Sequence, residues 1–343
     1  MLLPSLLNET RGDQSFVLLQ STIAQSILPF LRALCKRPST HSIVYAFLYA
    51  PSTFSDSGNP EIEVRDWSGD IPGYNDPRDI KDELLMAIKD APKDKPLDII
   101  IDSLETLSEN LNSPSGTYVF LCDILRLLKT HPKNSQLIVH SMKHSEAASF
   151  LLQTEFSSSL FHLTAHPTSL FHYLYKEYMI SPPPISPDVK FWSVFIPLSE
   201  RTHEVDLLSF GPHGEGSSCG TEIVMEILTR GNNSQSRKRA TERTLEGWDS
   251  IHSQPCAVSD LQALAPLFLQ KQAAESAPDP TQNLPFNLNL SESQQRSRAQ
   301  VPLPYAHEGQ NSNDPVSASG TIFYDPDSAD DIDDDDPDDD LDI

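Results

Sequence analysis

The segment Pro96-Leu97-Asp98-Ile99-Ile100-Ile101-Asp102-Ser103 constrains this chain more than any other. Leu97 to Ile101 is short and rich in β-branched residues, with Pro96 before it and Asp102 after it. Such a run reads as a strand buried on both faces, of the kind found at the centre of a parallel sheet. Strand-like and helix-like segments alternate on either side, which is the pattern of a layered α/β domain. Ligands of these sheets bind beyond the carboxyl ends of the strands, where Asp102 falls. An apolar strand ending in Asp is also how phosphate-loop NTPases hold magnesium.

Around that strand the reading runs in order. Residues 15–20 form a first strand, and a helix capped by Ser21 or Thr22 runs to about Cys35, interrupted by Pro29. Residues 43–49 make a second buried strand and 62–67 an edge strand. Helices are expected at 79–91, 117–130 and 145–153, with a further strand at 136–140. Beyond Ser158 strands dominate: 160–163, 190–196, 204–210 and 221–229, with 241–248 pairing back across Gly231-Asn232-Asn233. The outline is that of a RecA-like, recombinase-type ATPase core, and it also fits many unrelated α/β folds. It has a mostly parallel central sheet with flanking helices and a β-rich C-terminal half, over residues 1–255.

Residues 256–320 are rich in Gln, Ser, Pro and Asn and read as a largely disordered linker after one helix-like patch at 258–270. Residues 321–343 form an acidic tail holding twelve Asp and no Lys or Arg, half of the net charge of −24. The rest is only mildly acidic, so overall charge does not indicate what the folded part binds. The tail keeps Phe323, Tyr324, Ile332 and Leu341 among its acids, a mix suited to docking on a basic protein surface with an apolar floor. It lacks the Gly and closing Glu of a calcium loop. Cys35, Cys122, Cys219 and Cys256 form no CxxC pair, and no signal peptide or membrane span is legible. Free thiols in an intracellular, reducing setting are expected.

The search for chemistry is mostly negative. A phosphate loop needs Gly-x-x-x-x-Gly-Lys-Ser/Thr after the first strand. That position reads Gln20-Ser21-Thr22-Ile23-Ala24-Gln25-Ser26, and none of the 13 glycines precedes a lysine. Asp102 is therefore expected to cap the turn after its strand; ion binding is the competing reading. Gly216-Ser217-Ser218-Cys219-Gly220 matches a nucleophile elbow, and Asp249 and His252 follow in hydrolase order. The loop lies between two strand-like segments, however, where a hairpin loop is expected. His140 and His144, like His162 and His166, stand four apart without the further ligands a zinc site needs. Arg237-Lys238-Arg239 is the one basic cluster, open to three readings: a solvated loop, a nuclear-import signal, or a contact to RNA phosphates. No catalytic residue, cofactor or metal is assigned.

Three C-terminal segments carry a resemblance: Leu284-Pro285-Phe286-Asn287-Leu288-Asn289-Leu290, Val301-Pro302-Leu303-Pro304-Tyr305, and Gly320 to Tyr324 running into the Asp-rich terminus. Arg243-Thr244-Leu245-Glu246-Gly247-Trp248 adds to it. In these the chain resembles the fifth subunit of the Elongator complex (Elongator complex protein 5) in its fungal form. The resemblance implies a RecA-like fold without functional nucleotide motifs. It implies assembly with the fourth and sixth subunits into a ring of six, two copies of each, alongside the remaining Elongator subunits. It also implies tRNA binding by that ring in support of wobble-uridine (position 34) modification to carboxymethyluridine derivatives. The chain would then be a scaffold and no enzyme, found in cytoplasm and nucleus and not in a membrane. Two other classes stay open: an α/β hydrolase using Ser218, and a stand-alone nucleotide-binding ATPase built on Asp102.

Overall fold

A computed structural model of the 343-residue chain describes residues 1–8, 15–38, 40–55, 60–70, 79–212, 214, 216–232 and 239–269, with 293 and 296. By its contacts the chain divides into Met1–Ala277 and Pro278–Ile343, the second almost wholly outside the described residues. The docking candidates Phe323, Tyr324, Ile332 and Leu341 lie outside them, as do Arg237 and Lys238.

In chain order the first unit runs α1 (Leu3–Leu7), β1 (Phe16–Ser21), α2 (Leu28–Cys35), β2 (His41–Ala46), β3 (Ile62–Asp66), α3 (Ile80–Asp90), β4 (Leu97–Ile101), α4 (Leu104–Asn110), α5 (Pro114–Leu128), β5 (Gln136–Met142), α6 (Glu146–Leu151) and β6 (Leu160–Pro167). It continues with α7 (Thr168–Tyr178), α8 (Asp188–Ser199), α9 (Thr202–Phe210), β7 (Glu222–Asn232), β8 (Arg239–Asp249) and β9 (Gln254–Cys256). Among the described residues the strands form one sheet in the order β3-β2-β4-β5-β1-β6-β7-β8-β9. The first six are parallel, and β7, β8 and β9 add on antiparallel. Short connections join antiparallel β7, β8 and β9, whereas β6 and β7 pair antiparallel although α7, α8 and α9 lie between them in the chain. This is a RecA-like sheet, with β1 between β5 and β6. No described helix is long and apolar enough to cross a membrane.

β4 is buried along its whole length. Leu97, Ile99 and Ile101 join the cluster under α3 to α6, and Ile100 joins the opposite cluster with α1 and α2. Asp98, also on that opposite face, is the exception. It takes the Nε and Nη2 of buried Arg37, whose Nη1 donates to Leu6 O at 3.0 Å and to Gln136 Oε1 at 3.1 Å. This buried pair ties α1, the end of α2, β4 and β5 together.

Three sequence expectations are corrected. Residues 190–196 and 204–210 are not strands but lie in α8 and α9. In α8, Phe191, Phe195 and Leu198 fall at helical spacing on the buried side. The run is so uniformly apolar that its period does not stand out, and Pro197 near the helix end also misleads. The helix after β1 does not start at Ser21 or Thr22 but at Leu28, with Pro29 in its first turn. There the missing N–H has no intrahelical partner to lose, so Pro29 begins the helix and does not kink it. Finally, α7 follows β6 directly, although no helix was expected there.

A third apolar cluster gathers α7, α8, α9, Val224 and the segment beyond Pro255, where Val258, Leu261, Leu264 and Leu267 are buried. That segment crosses β8 at Gly247. A Cβ on Gly247 would lie 2.8 Å from Cys256 Sγ, 3.0 Å from Leu261 Cγ and 3.1 Å from Ala257 O. We expect Gly247→Ala to lower stability by about 1–3 kcal/mol through overpacking, read as a lower urea midpoint at unchanged slope.

Candidate functional site

At the turn from β1 into α2, where a phosphate loop would fall, the chain bonds to itself. Thr22 N donates to Gln25 O at 2.9 Å, and Gln25 N donates to Thr22 Oγ1 at 2.9 Å. Ile27 N donates to Ser21 Oγ at 3.0 Å and Leu28 N to Ser26 Oγ at 3.2 Å. Ser26 N donates to Ser218 O at 2.8 Å. The loop before β7 therefore lies on this turn, and a Cβ on Gly220 would come within 3.1 Å of Gln25 Oε1. The amides of Thr22, Gln25, Ser26, Ile27 and Leu28 are thus bonded within the chain.

Asp102 is likewise occupied. It is fully buried, and its carboxylate accepts from Phe47 N at 2.7 Å, Leu48 N at 3.1 Å and Tyr49 N at 2.8 Å, the turn after β2. Burial raises its pKa, against the pull of those amides. Of the two readings open at this residue, the geometry is that of the cap. The carbonyl of Asp102 accepts from His140 Nδ1 at 2.6 Å, which leaves Nε2 to accept from Ser21 Oγ at 2.8 Å. This is the order of a Ser–His pair, but Ser21 is 3% and His140 1% exposed, and the Ser21 oxygen is held by Ile27 N. Burial lowers the His140 pKa, so the ring is neutral and links three strand ends.

The other sequence candidates do not come together. Ser218 lies in a loop that leaves a helix, α9, and enters a strand, β7, whereas a nucleophile elbow runs from strand to helix. His252 Nδ1 and Asp249 Oδ2 are 2.5 Å apart on an exposed turn, and among the described residues no hydrogen bond joins them to the Ser218 side chain. His140 is buried in β5, while His144 lies beyond the strand end at φ 69°. His162 and His166 both lie in β6, where four residues span about 13 Å, too far for one metal ion. No group of three or more possible metal-ligating side chains occurs among the described residues. Arg239 begins β8, and the rest of its cluster is outside the described residues.

What sequence reasoning missed is a polar seam on one sheet face, between the apolar cluster under α3 to α6 and the one under α7 to α9. Cross-strand register sets Gln20 beside Thr164 and Thr164 beside Glu226, with His162, His166 and Arg243 flanking them. His166 Nε2 donates to Glu226 Oε2 at 2.9 Å, and Arg243 Nη1 lies 3.3 Å from Glu226 Oε1. Despite the desolvation cost, the hydrogen bond from His166 and the nearby cations bring the Glu226 pKa down to about 2. His162 Nε2 donates to Gln20 Oε1 at 2.8 Å, and burial lowers its pKa to about 4. Lys143, just beyond β5, donates to Ser199 O at 2.8 Å and pairs with Glu200 at 3.1 Å, closing the seam against α8. The available signal was alternation: His162, Thr164 and His166 occupy every second position of one strand.

Fold and site together define a RecA-like domain whose turn after β1 lacks the phosphate-loop sequence and is bonded to the loop before β7. The Elongator subunit Iki1 family matches residues 2–325. The chain belongs to that family, the fifth subunit of the Elongator complex. No curated protein matches. Among solved structures, a KaiC-like protein, PH0186, from Pyrococcus horikoshii OT3 is 10% identical with a TM-score of 0.41. That match covers 74% of this chain and 93% of the other. A DnaB-like replicative helicase, from a structure that also concerns its interactions with primase, is 10% identical with a TM-score of 0.34, covering 68% and 56%.

Proposed function

We propose that this chain is a non-catalytic scaffold of the Elongator complex. It assembles with the fourth and sixth subunits into a ring of six that binds tRNA and supports wobble-uridine modification by a separate catalytic subunit. The observation that carries the reading is the closed turn after β1, with Ser26 N bound by Ser218 O and Asp102 filled by three amides. A domain so closed keeps its shape for neighbours without cycling through nucleotide states. Arg237, Lys238 and Arg239 form a tRNA phosphate contact in this reading, the acidic tail docks on a basic protein partner, and the protein works in cytoplasm and nucleus.

The test is co-purification of the tagged chain from its own cells, followed by mass spectrometry, sizing and a tRNA filter assay. A particle of hexamer size with two related proteins that binds tRNA is expected. Neutralising Arg237, Lys238 and Arg239 together should weaken tRNA about equally across sequences and lower the salt slope by about one per lost phosphate contact. A lone monomer, or tight ATP binding by the isolated chain, would sink the reading.

A further inference from the structure

Adjacent basic residues occur at two places in the chain, Lys36-Arg37 and Arg237-Lys238-Arg239. Each is followed by a hydroxyl side chain at the same spacing, in Lys36-Arg37-Pro38-Ser39 and in Lys238-Arg239-Ala240-Thr241. Basic residues two and three positions before a Ser or Thr are what a kinase with a carboxylate-lined substrate groove reads, because each pairs with an acid there in charge-assisted hydrogen bonds.

The structure separates the two copies of this pattern. At the first, Arg37 is 4% exposed and its Nε and Nη2 donate to Asp98, so its charge is out of a kinase's reach. At the second, Thr241 is exposed, and among the described residues its hydroxyl makes no hydrogen bond. Thr241 is the third residue of β8, near the open end of the β7–β8 hairpin. The backbone there is already extended, the form in which a groove takes up a peptide. Its outer edge is open as well, since β9 pairs only with Gly247 to Asp249.

The surroundings also suit a phosphorylated product. Register sets Arg230 directly opposite Thr241, and Arg243 stands two residues on, on the same face of the sheet. Arg243 is 31% exposed and meets Glu226 through one nitrogen, which leaves further N–H groups for a phosphate. Glu242, the neighbouring acid, falls on the other face.

We propose that Thr241 is a phosphorylation site for a kinase that recognises basic residues. The γ-phosphoryl group of ATP passes to Thr241 Oγ1. The new O–P bond forms as the bond from the γ-phosphorus to the bridging oxygen breaks, the hydroxyl proton goes to the catalytic Asp of the kinase, and ADP leaves. The phosphate adds a charge of about −1.5 to −2 beside the three positive charges of residues 237–239. The hairpin end thereby loses most of its attraction for an acidic partner. The site stands whether or not that partner is tRNA.

The test incubates the full chain, purified in its complex from its own cells, with the catalytic subunit of cyclic-AMP-dependent protein kinase and magnesium ATP. Mass spectrometry maps the sites along a time course. Thr241 should be labelled at least about tenfold faster than Ser39, and Thr241→Ala should remove that signal. Lys238→Gln and Arg239→Gln should each slow labelling of Thr241 at least about tenfold, the usual effect of losing a charge-assisted hydrogen bond, in chains whose unfolding midpoint is unchanged. No label on Thr241, label on Ser39 at an equal or higher rate, or unchanged rates in both basic-residue variants would overturn the proposal.

Discussion

Asp98→Ala should cost the folded chain about 3–5 kcal/mol, the usual effect of leaving one partner of a buried ion pair unmatched. Arg37 is 4% exposed, and Asp98 receives both its Nε and Nη2. Without the carboxylate, the guanidinium either stays buried without its partner or pulls the end of α2 away from the sheet. Its remaining bonds, to Leu6 O and Gln136 Oε1, give no countercharge. Replacing both partners together, Arg37→Met with Asp98→Leu, should recover much of the loss, because an apolar pair of similar volume needs no desolvation. Urea unfolding of the three proteins checks this. A single variant within about 0.5 kcal/mol of wild type would mean that the pair does not hold α1, α2, β4 and β5 together.

The second large effect concerns Asp102, and it separates scaffold from ATPase. Three amides, of Phe47, Leu48 and Tyr49, end on this carboxylate. Asp102→Ala strands them in a buried turn, at about 1–3 kcal/mol for each unsatisfied group. Partial relaxation toward water brings the expected total to about 3–5 kcal/mol. Asp102→Asn should recover part of this, since its carbonyl oxygen still accepts but its NH₂ faces donors. Wild type and variants should show the same unfolding midpoints with and without magnesium and ATP. A variant of undiminished stability that loses a nucleotide-dependent rise in midpoint would instead make Asp102 a metal ligand and restore the ATPase reading.

Much of the parallel half was legible because its signals are local. Leu97 to Ile101 reads as a buried strand from composition alone, and α3 and α5 show their buried faces in their spacing. The missing phosphate loop is also a local fact, since the backbone cannot wrap phosphates where Gly and Lys are absent. The second half was less legible. The aromatic run of α8 is apolar nearly all round, so strand and helix patterns look alike in it. In α9, Val205 and Ser209 mark the buried side, too sparse a pattern for a nine-residue helix to announce itself.

The amino-acid order alone determined the layered α/β class, the central strand, the empty phosphate-loop position and the acidic C-terminal composition. Each depends on residues adjacent in the chain. Only the tertiary structure decided what closes the empty position, because Ser26 and Ser218 are far apart in sequence and meet through the crossing of a loop. It also decided that Arg37 faces Asp98, and that Gln20, Glu226 and Arg243 share one cavity. Those groups come from strands paired by register, and register is set by the burial of whole sheet faces, which no short window of sequence contains.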